Sequence, residues 1–124
     1  MVYKVLIVDD SMTSRLIIQR CCQIAGWNDA EFIHAADGKA ALEVIHSRPI
    51  DLILSDYNMP MVDGLELAET LNREHFIPGI PMAIITSANN ETLSSKLTAL
   101  GVVQVFGKPI TPQELSKLLQ KLDI

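Results

Sequence analysis

Four short apolar runs punctuate the chain, and each one ends on polar groups. Val5-Leu6-Ile7-Val8 stops at Asp9-Asp10, and Ile50 to Leu54, broken only by Asp51, stops at Ser55-Asp56. Met82-Ala83-Ile84-Ile85 stops at Thr86-Ser87, and Val102 to Phe106 leads through Gly107 to Lys108-Pro109. Runs this short, rich in valine, isoleucine and leucine, read as strands buried on both faces. Phe32-Ile33 centre a further strand. The intervening segments carry apolar residues at helical spacing, so strand-like and helix-like segments alternate five times. That alternation predicts an α/β domain, a five-stranded parallel sheet with helices on both faces.

Caps and stripes place the helices. Ser11 or Thr13 can cap the first, whose inner face reads as Ile17, Cys21 and Ile24 with Ile18, Cys22 and Ala25 one step round; Gly26 stops it. Asp37 caps a second helix carrying Ala41, Leu42 and Ile45, and Pro49 closes that unit. Asp63 and Glu66 form a capping box for a third helix over roughly residues 64–74. Ile77-Pro78-Gly79-Ile80-Pro81 is a turn-rich link into the next strand. Leu93, Leu97 and Leu100 stripe a fourth helix that Gly101 ends. Thr111-Pro112-Gln113-Glu114 joins a capping box to a proline at the first helical position, ahead of Leu115, Leu118, Leu119 and Leu122.

Parallel strands deliver all their C-terminal ends to one edge of the sheet, where open α/β proteins hold their chemistry. Asp9, Asp10, Asp56, Thr86 and Lys108 would then share one pocket. Two carboxylates about 5 Å apart repel by roughly 3 kcal/mol at an effective dielectric near 20. Three together call for a divalent cation, and the pocket suits a phosphoryl group as well.

Bulk properties narrow the function classes. The 124 residues make one domain, read as a single unit over 1–124 with no output domain, linker or repeat. Hydrophobic content of 48% with 20% charged residues is globular rather than disordered. A net charge of -5 without a basic tract argues against nucleic-acid binding. No apolar run approaches the roughly 20 residues of a membrane span, and Asp9-Asp10 cut the first run too short for a signal peptide. The expected location is the cytoplasm and the expected state a monomer. Cys21 and Cys22 are adjacent and read as helix packing residues rather than a disulfide. His34, His46 and His75 share no metal-ligand spacing and read as solvated or half-buried side chains. Met59, Met61 and Met82 read as core or loop packing.

Val8-Asp9-Asp10-Ser11, Asp56-Tyr57-Asn58-Met59-Pro60 with Asp63-Gly64, Thr86-Ser87-Ala88 and Lys108-Pro109, in this order and each at a strand end, resemble the receiver domain of two-component response regulators. The resemblance covers essentially the whole chain and is nearest to the single-domain chemotaxis regulators of the CheY kind. It implies a doubly wound, flavodoxin-like sheet of order 2-1-3-4-5, known for that family and not derivable from the periodicity. It implies a phosphoacceptor that assists its own phosphorylation rather than an enzyme acting on an external substrate. A sensor histidine kinase or histidine phosphotransfer protein would supply the phosphoryl group, and a downstream protein would read the result.

By the same resemblance, Asp56 is the nucleophile that forms an aspartyl phosphate. Mg2+ is held by Asp10 and Asp56, by Asp9 through water and by the backbone carbonyl of Asn58. Lys108 and Thr86 take phosphoryl oxygens, with the Ser87 amide and the amides after Asp56 assisting. The Lys108-Pro109 bond is implied to be cis. The small Ala88 leaves the acyl phosphate open to water. The chain departs from the family at strand five: the aromatic expected three residues before the lysine is Val105, and strand alternation puts Phe106 on the opposite face. Signalling must then rest on Thr86, the loop Ser87 to Asn90 and the fourth helix. Met12 and Leu16 flank the acidic pocket, either partly buried against loops or forming a docking patch for the histidine-bearing partner.

Other readings have weaker support. A phosphate sink or a phosphorylation-independent interaction module is compatible with Val105. A haloacid-dehalogenase-type phosphatase needs a second acid two residues after its nucleophile, where this chain has Asn58. A flavin or dinucleotide binder needs a glycine-rich first turn, and Asp9-Asp10-Ser11-Met12-Thr13 has none.

Overall fold

The computed structural model describes residues 3–88 and 90–122. Ten elements alternate: β1 (Lys4–Val8), α1 (Met12–Ile24), β2 (Glu31–Ala35), α2 (Gly38–Ser47), β3 (Leu52–Asp56), α3 (Gly64–Arg73), β4 (Met82–Thr86), α4 (Glu91–Ala99), β5 (Gln104–Gly107) and α5 (Pro112–Leu122). The strands form one parallel sheet in the order β2-β1-β3-β4-β5.

Side-chain alternation splits the core in two. Leu6, Val8, Ile53, Met82, Ile84 and Val105 pack with Ala41, Ile45, Leu67, Leu71 and Leu97, so α2, α3 and α4 cover that face. Val5, Ile7, Leu52, Leu54, Ala83, Ile85 and Phe106 pack with Ile18, Cys21, Cys22, Leu115, Leu118 and Leu119, so α1 and α5 cover the other. Val105 and Phe106 therefore do lie on opposite faces.

The capping signals act largely where the sequence places them. Ser11, not Thr13, caps α1; its side chain accepts from the Ser14 amide. Asp37 accepts from Ala40, and Asp63 from Glu66. Thr111 and Glu114 bond each other's backbone amides reciprocally. Gly26 and Gly101, at φ 117° and 105°, close α1 and α4 in the left-handed region that side chains disfavour. The second of these turns ties the Val102 amide to the Leu97 carbonyl. This is why β5 starts at Gln104 rather than at Val102.

Two readings need correction. Ile17 and Ile24 are exposed, by 54% and 59%, and the buried stripe of α1 is Ile18, Cys21 and Cys22. The two candidate stripes differ by one step around the helix, and only the direction of the sheet chooses between them. Met61 is not a packing residue: it is exposed, at φ 68°, on the loop after β3. Met59 packs against the core and Met82 lies within it.

Candidate functional site

Among the described residues, the buried polar side chains are Asp9, Ser55, Asp56 and Thr86, and all four stand at or just beyond strand ends. A buried carboxylate is costly unless it is hydrogen-bonded or paired. Two of them side by side mark this edge as built for something other than stability. It is also the switch point of the sheet: α1 leaves β1 toward one face and α3 leaves β3 toward the other, opening a crevice between adjacent strand ends.

Asp9 is held from several directions. Its Oδ1 accepts from the Ser11 amide at 2.9 Å. Its Oδ2 accepts from Ser14 Oγ at 2.6 Å and from Lys108 Nζ at 3.5 Å. Its backbone amide donates to the Ala35 carbonyl, and its own carbonyl accepts from Arg15 at 2.6 Å. Asp56 Oδ1 accepts from the Tyr57 amide at 2.8 Å and faces Lys108 Nζ at 3.0 Å. Asp56 Oδ2 accepts from no donor among the described residues. Asp10 is exposed, and its carboxylate has no partner among them.

Burial pushes the Asp56 carboxyl above its ordinary 3.8, and the Asp9 charge adds to this. The hydrogen bonds from Lys108 and Tyr57 pull the other way without cancelling it. For Lys108, burial works against the cation, but the Asp56 hydrogen bond and the two carboxylate charges outweigh it. Its pKa rises above 10.5, so the ammonium stays charged.

Carboxylate oxygens of Asp9, Asp10 and Asp56 lie within 4.8 Å of one another. Oxygen donors of this kind suit a hard cation such as magnesium. Asp10 and the free oxygen of Asp56 are available to it, whereas both oxygens of Asp9 already accept hydrogen bonds. That distribution fits direct ligation by Asp10 and Asp56 and a water-mediated role for Asp9.

Thr86 ends β4, one register position past the Asp56–Ile85 pair, and its hydroxyl accepts from the Ala88 amide at 3.1 Å. Asn58 is exposed on the loop after β3, and the Lys108-Pro109 bond is cis. Gly64 starts α3 so close to the site that a Cβ there would meet the Asp56 carbonyl and Tyr57 Cα at 2.9 Å. No other residue allows α3 this approach. Asn89, in the loop before α4, lies outside the described residues. Met12 and Leu16 are exposed, by 65% and 53%, which removes the reading of partial burial.

Sequence reasoning missed Ser14 and Arg15. Ser14 reads there as one more hydroxyl in the first turn of α1. Only the fold brings it back over Asp9, five residues earlier.

Comparison with known proteins agrees with this geometry. The family model for the response regulator receiver domain matches residues 5–120. The chain is 32% identical to the chemotaxis protein CheY of Pseudomonas aeruginosa over 96% of its own length and 94% of that protein's. It superimposes on the chemotaxis protein CheY4 of Vibrio cholerae with a TM-score of 0.84, at 31% identity and 98% coverage of each chain. The receiver domain of the Francisella response regulator 1452 gives a TM-score of 0.82, at 26% identity over 97% of this chain and 95% of that one. With its acids, threonine and lysine on the ends of β1, β3, β4 and β5, and with matches running nearly end to end, the chain belongs to the response regulator receiver domain family.

Proposed function

We propose that this chain is a phosphorylation-controlled switch of two-component signal transduction, taking a phosphoryl group from a partner's phosphohistidine onto Asp56. The observation that carries the reading is the placing of charge around Asp56. Lys108 grips Oδ1 from one side, and Oδ2 is left without a donor beside the two other acids. The partner is a sensor histidine kinase or a histidine phosphotransfer protein, and a downstream protein reads the phosphorylated form. The chemotaxis relatives favour chemotaxis as the setting, and the location proposed with it is the cytoplasm.

Asp10, Asp56 and the Asn58 carbonyl would hold magnesium, with Asp9 acting through water, and the ion would supply positive charge against the acids and the phosphoryl oxygens. The protein's own part is positioning and electrostatics. A carboxylate oxygen of Asp56 presents the nucleophilic lone pair, and the P–O bond forms as the P–N bond of the phosphohistidine breaks. Lys108 stabilises one phosphoryl oxygen as a fixed positive charge. The Thr86 hydroxyl, which accepts from Ala88 and keeps its own proton to give, stabilises another together with the Ser87 amide. The chain acts on itself and turns over no external phosphate ester.

Val105 is buried against the α4 side and is too short to swing between exposed and buried positions as an aromatic would. The response to phosphorylation therefore runs through Thr86, the loop that follows it and α4.

The test is phosphorylation of the purified chain by acetyl phosphate with magnesium, followed by removal of the donor. A label that is labile to hydroxylamine and decays spontaneously is expected, because Ala88 is small and exposed and does not shield the acyl phosphate from water. A label that survives for many hours in magnesium buffer contradicts this account of Ala88. Absence of any label contradicts the reading as a whole.

The exposed Met12–Leu16 face of α1 borders the pocket and suits apolar contact with the histidine-bearing partner. Leu16→Glu is expected to slow transfer from the partner by about 10-fold, the effect of losing one well-packed interface side chain. Phosphorylation by acetyl phosphate should be unaffected. Equal loss with both donors would place Leu16 in the folding of α1 instead.

A further inference from the structure

We infer that Arg15 is a positioning residue for the acidic pocket, and that His34 on β2 holds it in place by accepting from its Nε. This inference rests on the receiver chemistry proposed above and concerns how the Asp9–Asp10 peptide is aimed. Asp10 has no side-chain partner among the described residues, so what aims its side chain toward the pocket is the direction in which its backbone projects it. That backbone is fixed at the carbonyl of Asp9, which accepts from Arg15 Nη1 at 2.6 Å.

The guanidinium is held at a second point, with Nε donating to His34 Nδ1 at 3.2 Å. Nδ1 is thus an acceptor, so the ring is neutral and carries its proton on Nε2, which faces Gln19 Oε1 at 2.7 Å. Gln19 lies four residues beyond Arg15 on α1, so the chain of contacts closes on the helix it starts from. Burial, and then the nearby Arg15 charge, keep the His34 pKa below its ordinary 6.5, which preserves the acceptor. A planar fork engaged at two points defines an orientation that a lysine cannot.

Charge and position make opposite predictions here. An arginine beside three acids weakens a divalent cation's attraction if it acts only through its charge, and its removal should then tighten binding. If it acts by aiming Asp10, its removal should weaken binding. Residues that orient metal ligands from behind typically contribute about 10- to 100-fold in affinity.

The experiment is calorimetric titration of the full chain with magnesium chloride, alongside thermal melts in chelator. Arg15→Ala is expected to bind magnesium about 10- to 100-fold more weakly. Arg15→Lys, with the charge kept and the fork lost, should also weaken binding. His34→Phe should weaken it less, and His34→Asn, which restores an acceptor near the Nδ1 position, should recover most of the loss. The Arg15→Ala/His34→Phe double variant should bind no more weakly than Arg15→Ala alone, since the two act through one contact. Unchanged or tighter binding by Arg15→Ala, or additive losses in the double variant, would overturn the inference. If Arg15→Ala does not fold, the contrast between His34→Phe and His34→Asn decides in the same way. A wild-type chain that binds no magnesium would overturn the receiver chemistry itself, whereas normal wild-type binding with indifferent variants overturns only the role of Arg15.

Discussion

Asp56→Asn is expected to abolish phosphorylation by acetyl phosphate while making the protein more stable. Loss of the label follows from removing the carboxylate of the one acid at this edge that pairs closely with Lys108 and keeps an oxygen free of donors beside the other acids; an amide is no nucleophile toward phosphorus at neutral pH. The gain in stability follows from the raised pKa of Asp56, whose cause is burial. The folded chain holds the Asp56 proton to a higher pH than the unfolded chain, whose carboxyl titrates near 3.8. Within that window the native state binds more protons, so stability falls as pH rises through it. Above that window the full cost of the buried charge is present, and asparagine removes it. There the variant is expected to melt at a higher temperature than the wild type. Well below pH 3.8 both states are protonated and the gain should vanish. Melts at neutral and acid pH check both halves of the prediction.

Lys108→Met should have the next largest effect, and with the opposite sign on stability. Methionine keeps the length of the stem and removes the charge. The ammonium stands 3.0 Å from Asp56 and 3.5 Å from Asp9, and no other cation of the described residues bridges the two carboxylates. Removing one fixed donor from a transition-state oxygen costs roughly 10²–10³-fold in rate. Phosphorylation from acetyl phosphate should slow by that factor while still reaching Asp56. Breaking a fully buried pair costs about 3–5 kcal/mol, because it strands a charge. Lys108 is 31% exposed, so solvent screening reduces this to about 1 kcal/mol. A variant phosphorylated at the wild-type rate would show that Lys108 serves only to balance charge in the resting state.

The two effects together separate what the pocket does for folding from what it does for chemistry. Asp56 is a net burden on the fold, and Lys108 partly offsets it. A site that existed to stabilise the sheet would show the reverse for Asp56.

The outline of this site was legible because strand ends are legible. An apolar run that stops at Asp9-Asp10, Ser55-Asp56 or Thr86 announces both the strand and the group at its end, and parallel pairing does the gathering. The caps were legible for the same local reason: Asp37, Asp63 and Thr111 act within three residues of themselves. What the chain did not disclose depends on direction. Ile17 and Ile18 are equally apolar, and only the packing of α1 against β1 and β3 buries one and exposes the other. Ser14 and Arg15 reach back to Asp9 over a distance that is short in space but has no periodic signature. His34, half-buried on an edge strand, gains a role only because β2 lies beside β1. Val105 was visible as a departure from the family, and the structure adds that it is buried on the α4 side, away from Phe106.

The account stands on one bond, between phosphorus and an oxygen of Asp56. Phosphorylating the chain with acetyl phosphate and magnesium, reducing the acyl phosphate with borohydride and sequencing the peptides by mass spectrometry locates that bond directly. The expected result is the reduction product, homoserine, at position 56 and at no other aspartate. Homoserine at Asp9 or Asp10, or a label that resists reduction because it sits on a hydroxyl or a histidine, would contradict it.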